Sequence, residues 1–298
     1  MSTSFTHTTT DGRTYTGRSN GVEPVAGTPL VVAIHGGTYS SEYFDIPGYS
    51  LLDRGEAAGV PVIALDRPNY VGSSPLESDD SIILANAAVL DNAIGEIWDQ
   101  HGGEASGVVL VGHSIGGAIA TAIAASRPAW PLAGLATSGC LVRVPAESAG
   151  AWAALPPIPM IDLPVAMKDQ LMFGPADTLN DDMPAASYPS NTLVPKAELL
   201  DITGGWIARR AEICGRVTVP VFHRQGEFDH LWVTSPQEVD EYRDGFTSAA
   251  STDIALLPGS GHCIDFHRVS AEFEDAELSF AKSTASTVSA SNASTPVA

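Results

Sequence analysis

Val108-Val109-Leu110-Val111-Gly112-His113-Ser114-Ile115-Gly116-Gly117-Ala118 is the stretch that decides how this chain is read. Four consecutive apolar residues mark a strand covered on both faces. The small-residue run from Ile115 to Ala125, stopped before Pro128, reads as a helix. Between them stands a G-x-S-x-G pattern in the strand–turn–helix context that gives the pattern its meaning. In such a turn the backbone at the serine is strained, and Gly112 and Gly116 leave room for it. The turn lifts the Ser114 hydroxyl clear of the sheet at a helix N-terminus, where partial positive charge favours a developing anion. Gly117 and Ala118 let the helix pack closely on its strand. Ser114 is therefore a candidate nucleophile. A glycine-rich turn with an incidental serine would explain neither the strand before it nor the helix after it.

Outward from this point, strands and helices alternate. Val31–Ile34, Val60–Leu65, Leu132–Thr137, Val217–Phe222 and Ile254–Leu257 are further apolar runs of strand length. Polar alternating stretches in the first thirty residues suit an antiparallel edge pair. Ile82, Asn86, Val89, Leu90, Ala93, Ile94 and Ile97 recur at helical spacing, and His101-Gly102-Gly103 ends that segment. An amphipathic helix is expected over Phe266–Phe280, with Asp265 as its cap. Strands alternating with helices imply an α/β fold with a doubly wound, mostly parallel sheet. The stretch from Val144 to Leu200 breaks this rhythm, holding nine of the 21 prolines and four of the five methionines. A long stretch without an evident strand between two core strands reads as a cap or lid inserted over the strand ends. The expected organisation is a core of residues 1–143 and 201–281, a cap of residues 144–200, and a Ser/Thr/Ala-rich disordered tail over 282–298.

Composition narrows the function. With 35 acidic and 15 basic residues the formal net charge is −20, which argues against nucleic-acid partners. It also disfavours anionic membrane surfaces and strongly anionic substrates. The three cysteines, Cys140, Cys214 and Cys263, show neither metal-ligand spacing nor a disulfide framework. No signal-peptide pattern opens the chain, and no run reaches the ~18 apolar residues of a membrane span. The expectation is a cytoplasmic protein acting on a small-molecule substrate, with no metal, no cofactor and an oligomeric state left open.

The chain from about Thr28 to Lys282, the proposed cap apart, resembles the α/β-hydrolase fold superfamily. Within it the esterase, haloperoxidase-like, thioesterase and C–C hydrolase branches, which place serine at this turn, are the most similar. Epoxide hydrolases and haloalkane dehalogenases place aspartate there. The resemblance implies that His35-Gly36-Gly37-Thr38 supplies one oxyanion donor, the Gly37 amide, with Thr38 the neighbour able to replace it. The second donor is the amide of Ile115. Asp66-Arg67-Pro68-Asn69-Tyr70-Val71-Gly72-Ser73-Ser74 resembles the family's D-x-x-G-x-G-x-S loop with one extra residue and reads as structural. The family order is serine, acid, histidine. After the Val217–Phe222 run, Gly226-Glu227-Phe228-Asp229 matches the family's G-x-x-D, so Asp229 is the expected acid, with Glu227 its competitor. His230 and Trp232 are neighbours able to line the site. Gly259-Ser260-Gly261-His262 matches the family's histidine loop, so His262 is the expected base, with His267 the nearest alternative. The implied chemistry is serine hydrolysis of a carboxylic ester of a small, largely hydrophobic substrate through an acyl-enzyme, with no cofactor. Lactone, thioester or C–C hydrolysis on the same triad, and a non-catalytic ligand receptor, are the competing readings. In the cap, Trp152, Met160, Met167, Met172 and Phe173 are expected to line an adaptable apolar pocket together with Thr38.

Overall fold

A computed structural model describes residues 2–293. In chain order the strands are β1 (Thr3–Thr8), β2 (Thr14–Ser19), β3 (Leu30–Ile34), β4 (Val62–Leu65), β5 (Val108–His113), β6 (Leu132–Ser138), β7 (Met160–Ile161), β8 (Val194–Pro195), β9 (Val221–Gly226) and β10 (Thr252–Leu257). The α-helices are α1 (Leu51–Ala58), α2 (Ile82–His101), α3 (Ile115–Ser126), α4 (Ala146–Ala153), α5 (Val165–Met172), α6 (Lys196–Thr203), α7 (Gly205–Arg216), α8 (Pro236–Asp244) and α9 (Ser270–Ala293). Eight strands form one sheet in the order β1-β2-β4-β3-β5-β6-β9-β10. β1 pairs antiparallel with β2, and β2 antiparallel with β4. From β4 to β10 every pairing is parallel.

The strand runs are apolar throughout because both faces are covered. In β3, Leu30, Val32 and Ile34 face a core shared with α2, α3 and α7, while Val31 and Ala33 face the other core, shared with α1 and α9. All five are buried, and each of the larger ones contributes about 1.5–3 kcal/mol by leaving water. α3 is buried along almost its whole length, and its glycines and alanines allow that depth. Helix starts carry the expected chemistry: Ser50, Ser81 and Ser235 accept from the amides of Asp53, Leu84 and Glu238.

Four expectations are corrected. β9 begins at Val221 rather than Val217, because Pro220 has no N–H for the ladder and Val217–Val219 follow the end of α7. The stretch between β6 and β9 does contain strands, since β7 and β8 pair antiparallel, and position 200 falls inside α6. Asp265 does not cap the last helix: it lies in a short 3-10 turn, Ile264–Phe266, buried and accepting from the Tyr43 hydroxyl at 2.6 Å. Burial raises its carboxyl to about 6. The last helix starts at Ser270 and continues through 282–293, where a disordered tail was expected. Extending an existing helix avoids the nucleation cost, and alanine is the best helix former. Residues 294–298 of that expected tail lie outside the described residues. No helix among the described residues is long and apolar enough to cross a membrane.

Candidate active site

Ser114 sits between β5 and α3 with φ 56° and ψ −122°, a backbone conformation rare for any L side chain. Two glycines make that conformation possible. A Cβ on Gly112 would lie 2.6 Å from the Gly116 carbonyl oxygen, and one on Gly116 would lie 2.1 Å from the Ile34 carbonyl oxygen. The Ser114 amide donates to the Ser138 carbonyl at 2.8 Å, which fixes the turn against β6. The Ser114 hydroxyl makes no hydrogen bond among the described residues and borders a pocket.

Asp229 follows β9 and His262 follows β10, two adjacent parallel strands that deliver both loops to one sheet edge. His262 Nδ1 lies 2.7 Å from Asp229 Oδ2, with both side chains buried. A carboxylate only accepts, so the ring proton sits on Nδ1 and Nε2 carries the lone pair. Asp229 is held from two further sides, by the Leu231 amide on Oδ1 at 2.7 Å and by Gln225 Nε2 on Oδ2 at 2.6 Å. Among the described residues no hydrogen bond joins the Ser114 hydroxyl to His262. His113 ties the two regions together. Its ring centroid is 4.8 Å from that of His262, it stacks on Tyr43, and burial holds its pKa well below the ordinary value. At Gly139 (φ 63°) a Cβ would lie 3.0 Å from both the His113 and His262 rings, so the absence of a side chain there makes room for His262.

The competing candidates fall elsewhere. Glu227 is exposed and accepts from the Gly259 amide at 3.1 Å. His267 accepts from the amides of Gly174 and Gly261 at Nε2, so its ring braces the His262 loop. Burial lowers its pKa to about 4. His230 is exposed, while Trp232 lines the pocket.

That pocket is a narrow cavity of about 40 Å³ beside Ser114. Of the residues proposed to line it, Thr38, Trp152 and Met172 do so, while Met160, Met167 and Phe173 do not; Gly37 and Ile115 also border it. Met160 pairs with Pro195 in the small sheet, and Met167 is 40% exposed on the far side of α5 from Met172. Leu163, Leu199, Ile202, Thr203, Leu231 and Val144 complete the wall, and none of the lining residues is charged. The amides of Gly37, Thr38 and Ile115 make no hydrogen bond to protein among the described residues, and the Thr38 hydroxyl is buried without a partner. Among the described residues no group of three or more His, Cys, Asp or Glu side chains is placed to hold a metal ion.

Arg67, in the loop that resembles the family's structural turn, is a residue whose importance the sequence does not reveal. It is fully buried. It donates to the carbonyls of His35 at 2.9 Å and Gly36 at 3.0 Å, and forks onto both oxygens of Glu198 in α6 at 2.7 and 2.9 Å. Tyr70 donates to the same Glu198 carboxylate at 2.7 Å. Removing one partner of a buried ion pair leaves the other uncompensated, so Glu198→Leu is expected to destabilise the protein by about 3–5 kcal/mol. Urea denaturation followed by circular dichroism measures this, and a loss below about 1 kcal/mol would contradict it.

A model described as the alpha/beta hydrolase family matches residues 31–276. The chain belongs to that family, and it is a hydrolase. Its fold is similar to that of a thermophilic esterase from Thermogutta terrifontis (16% identity over 95% of this chain and 99% of that chain, TM-score 0.63). It is similar also to Paleococcus ferrophilus monoacylglycerol lipase (19% identity over 95% of this chain and 98% of that one, TM-score 0.62). A third is E-2-(acetamidomethylene)succinate hydrolase, with 18% identity over 93% of this chain and 99% of that chain and a TM-score of 0.64. No curated protein matches the chain.

Proposed function

We propose that this hydrolase cleaves carboxylic esters of small, largely hydrophobic substrates through an acyl-enzyme on Ser114. The observation that carries the reading is the pairing of His262 with Asp229 at 2.7 Å, beside a serine in a strained strand–helix turn that borders an apolar pocket. In the first step His262 Nε2 takes the hydroxyl proton as Ser114 Oγ bonds to the carbonyl carbon. Asp229 holds the ring in the required tautomer and offsets the imidazolium charge. The amides of Gly37 and Ile115 receive the oxyanion, each worth about 3–4 kcal/mol in the transition state by comparison with other such donors. His262 then protonates the leaving alkoxide, the C–O bond breaks, and the acyl group stays on Ser114. Water, activated by the same imidazole, releases the acid and restores the enzyme. The segment 144–200 acts as a cap whose Trp152, Leu163, Met172 and Leu199 supply the apolar side of the pocket.

Lactones, acyl thioesters and C–C substrates would use the same three residues, and the uncharged pocket together with the net charge of −20 weighs against anionic carriers among them. The test has two parts. A fluorophosphonate probe should label the wild-type protein at Ser114, and an unlabelled, folded protein would favour a receptor instead. A panel of p-nitrophenyl esters, lactones and acyl thioesters should then show short-chain esters turned over fastest. A preference for thioesters or lactones would replace the ester assignment.

A further inference from the structure

In the loop from His35 to Thr38, Gly37 and Thr38 line the pocket, and the carbonyls of His35, Gly36 and Thr38 accept from buried cations. Arg67 takes the carbonyls of His35 and Gly36. At the other end the Thr38 carbonyl accepts from Lys168 Nζ at 2.8 Å and from the Thr192 amide at 2.9 Å. Lys168 belongs to α5, within the stretch between β6 and β9, and only 3% of it is exposed. Its ammonium also donates to the Asn191 side-chain oxygen and lies 3.9 Å from the centre of the Tyr39 ring. A lysine this deeply buried is rare, and its three donors here are spoken for by one carbonyl, one amide oxygen and one ring face.

The loop needs such a holder. Thr38 has φ 65°, the left-handed region that a β-branched residue enters only under constraint. Left to itself the backbone would relax toward extended geometry and turn the neighbouring peptide planes. Two bonds from residues 168 and 192 oppose that relaxation, and an antiparallel bridge between Tyr39 and Asn191 continues the same seam.

We propose that Lys168 is a positioning residue for hydrolysis: from α5 it grips the Thr38 carbonyl, and so sets the loop whose Gly37 amide receives the oxyanion. The inference rests on the serine-hydrolase reading above. Lys168 does not line the pocket beside Ser114. Its effect is on the placement of an amide, and displacement of such a group by about 1 Å costs about 100-fold in rate. Burial lowers the Lys168 pKa to about 8. The other groups facing it are the carboxylates of Asp162 and Asp169, the Cys263 thiol and the Tyr39 hydroxyl. Burial pushes the thiol to about 12 and the hydroxyl well above its ordinary value, so neither titrates in the same window.

The test compares wild type with Lys168→Met and Lys168→Gln on p-nitrophenyl butyrate, after thermal unfolding has shown which variants fold. The expected result is a kcat about 30- to 100-fold lower with KM within about threefold of wild type, and fluorophosphonate labelling slowed in parallel. A purely structural lysine would lower the melting temperature and leave kcat of the folded enzyme alone. A folded variant with kcat within twofold of wild type overturns the proposal. If neither variant folds, the wild-type pH profile decides. The ammonium is present below its pKa and lost above it, so kcat should fall as pH rises through that pKa, expected near 8, and a kcat that stays flat through the Lys168 titration followed by ¹⁵N NMR overturns the proposal. Wild-type protein that neither reacts with the probe nor hydrolyses any ester would instead sink the hydrolase reading itself, which separates the two failures.

Discussion

Ser114→Ala is expected to lower kcat on p-nitrophenyl esters by about 10⁴- to 10⁶-fold, the range seen when a triad nucleophile is removed. The residual rate would come from the amides of Gly37 and Ile115 and from apolar binding in the pocket, since these do not need the hydroxyl. The fold should be untouched. The Ser114 side chain makes no hydrogen bond among the described residues, and the strained turn is held by the Ser114 amide on Ser138 and by the two flanking glycines. The melting temperature should therefore change by no more than about 2 °C, since only a few tenths of a kcal/mol are involved. Steady-state kinetics and thermal unfolding on the same preparation check both halves. Turnover within tenfold of wild type would remove Ser114 from the mechanism.

Asp229→Asn should cost about 10⁴-fold in kcat with KM little changed, because an amide in that place no longer fixes the histidine tautomer. The surroundings make this substitution a clean probe. The Leu231 amide donates to one carboxylate oxygen, which the amide oxygen of asparagine can replace. Gln225 donates to the other, and the Gln225 side-chain oxygen is buried without a partner, so turning the Gln225 amide over would satisfy the new NH₂ group. Packing is preserved and the loss falls on chemistry. Single-turnover kinetics with p-nitrophenyl butyrate would show the acylation step itself slowed. A variant keeping more than a tenth of wild-type kcat would pass the role of the acid to another group.

The parts of this molecule readable from sequence are those written in contiguous residues. The strand–turn–helix around Ser114 is local, because the glycines that permit φ 56° lie two positions away on either side. The loops bearing Asp229 and His262 carry their own short patterns, and the parallel pairing of β9 with β10 makes neighbours of them. Contacts between distant segments left no such trace. Nothing about Arg67 announces Glu198, 131 positions on. The pocket wall shows a different failure. Methionine content located the right segment but not the side of each helix that faces inward. Met167 and Met172 are five positions apart, roughly 140° around an α-helix, so one side chain points in and the other out. The length of α9 was misjudged because composition alone does not show that a serine- and alanine-rich stretch can ride on a helix already formed.

The Arg67–Glu198 fork also bears on how this protein could be re-engineered. Exchanging residues 144–200 for the corresponding piece of another hydrolase would remove Glu198 and strand a guanidinium in a dry interior. A transplant would have to carry Arg67 and Tyr70 with it, or replace all three by apolar residues of matching volume. The segment is thus not an interchangeable module, and libraries built to alter substrate preference should vary Trp152, Leu163 and Ile202 while leaving its anchors in place.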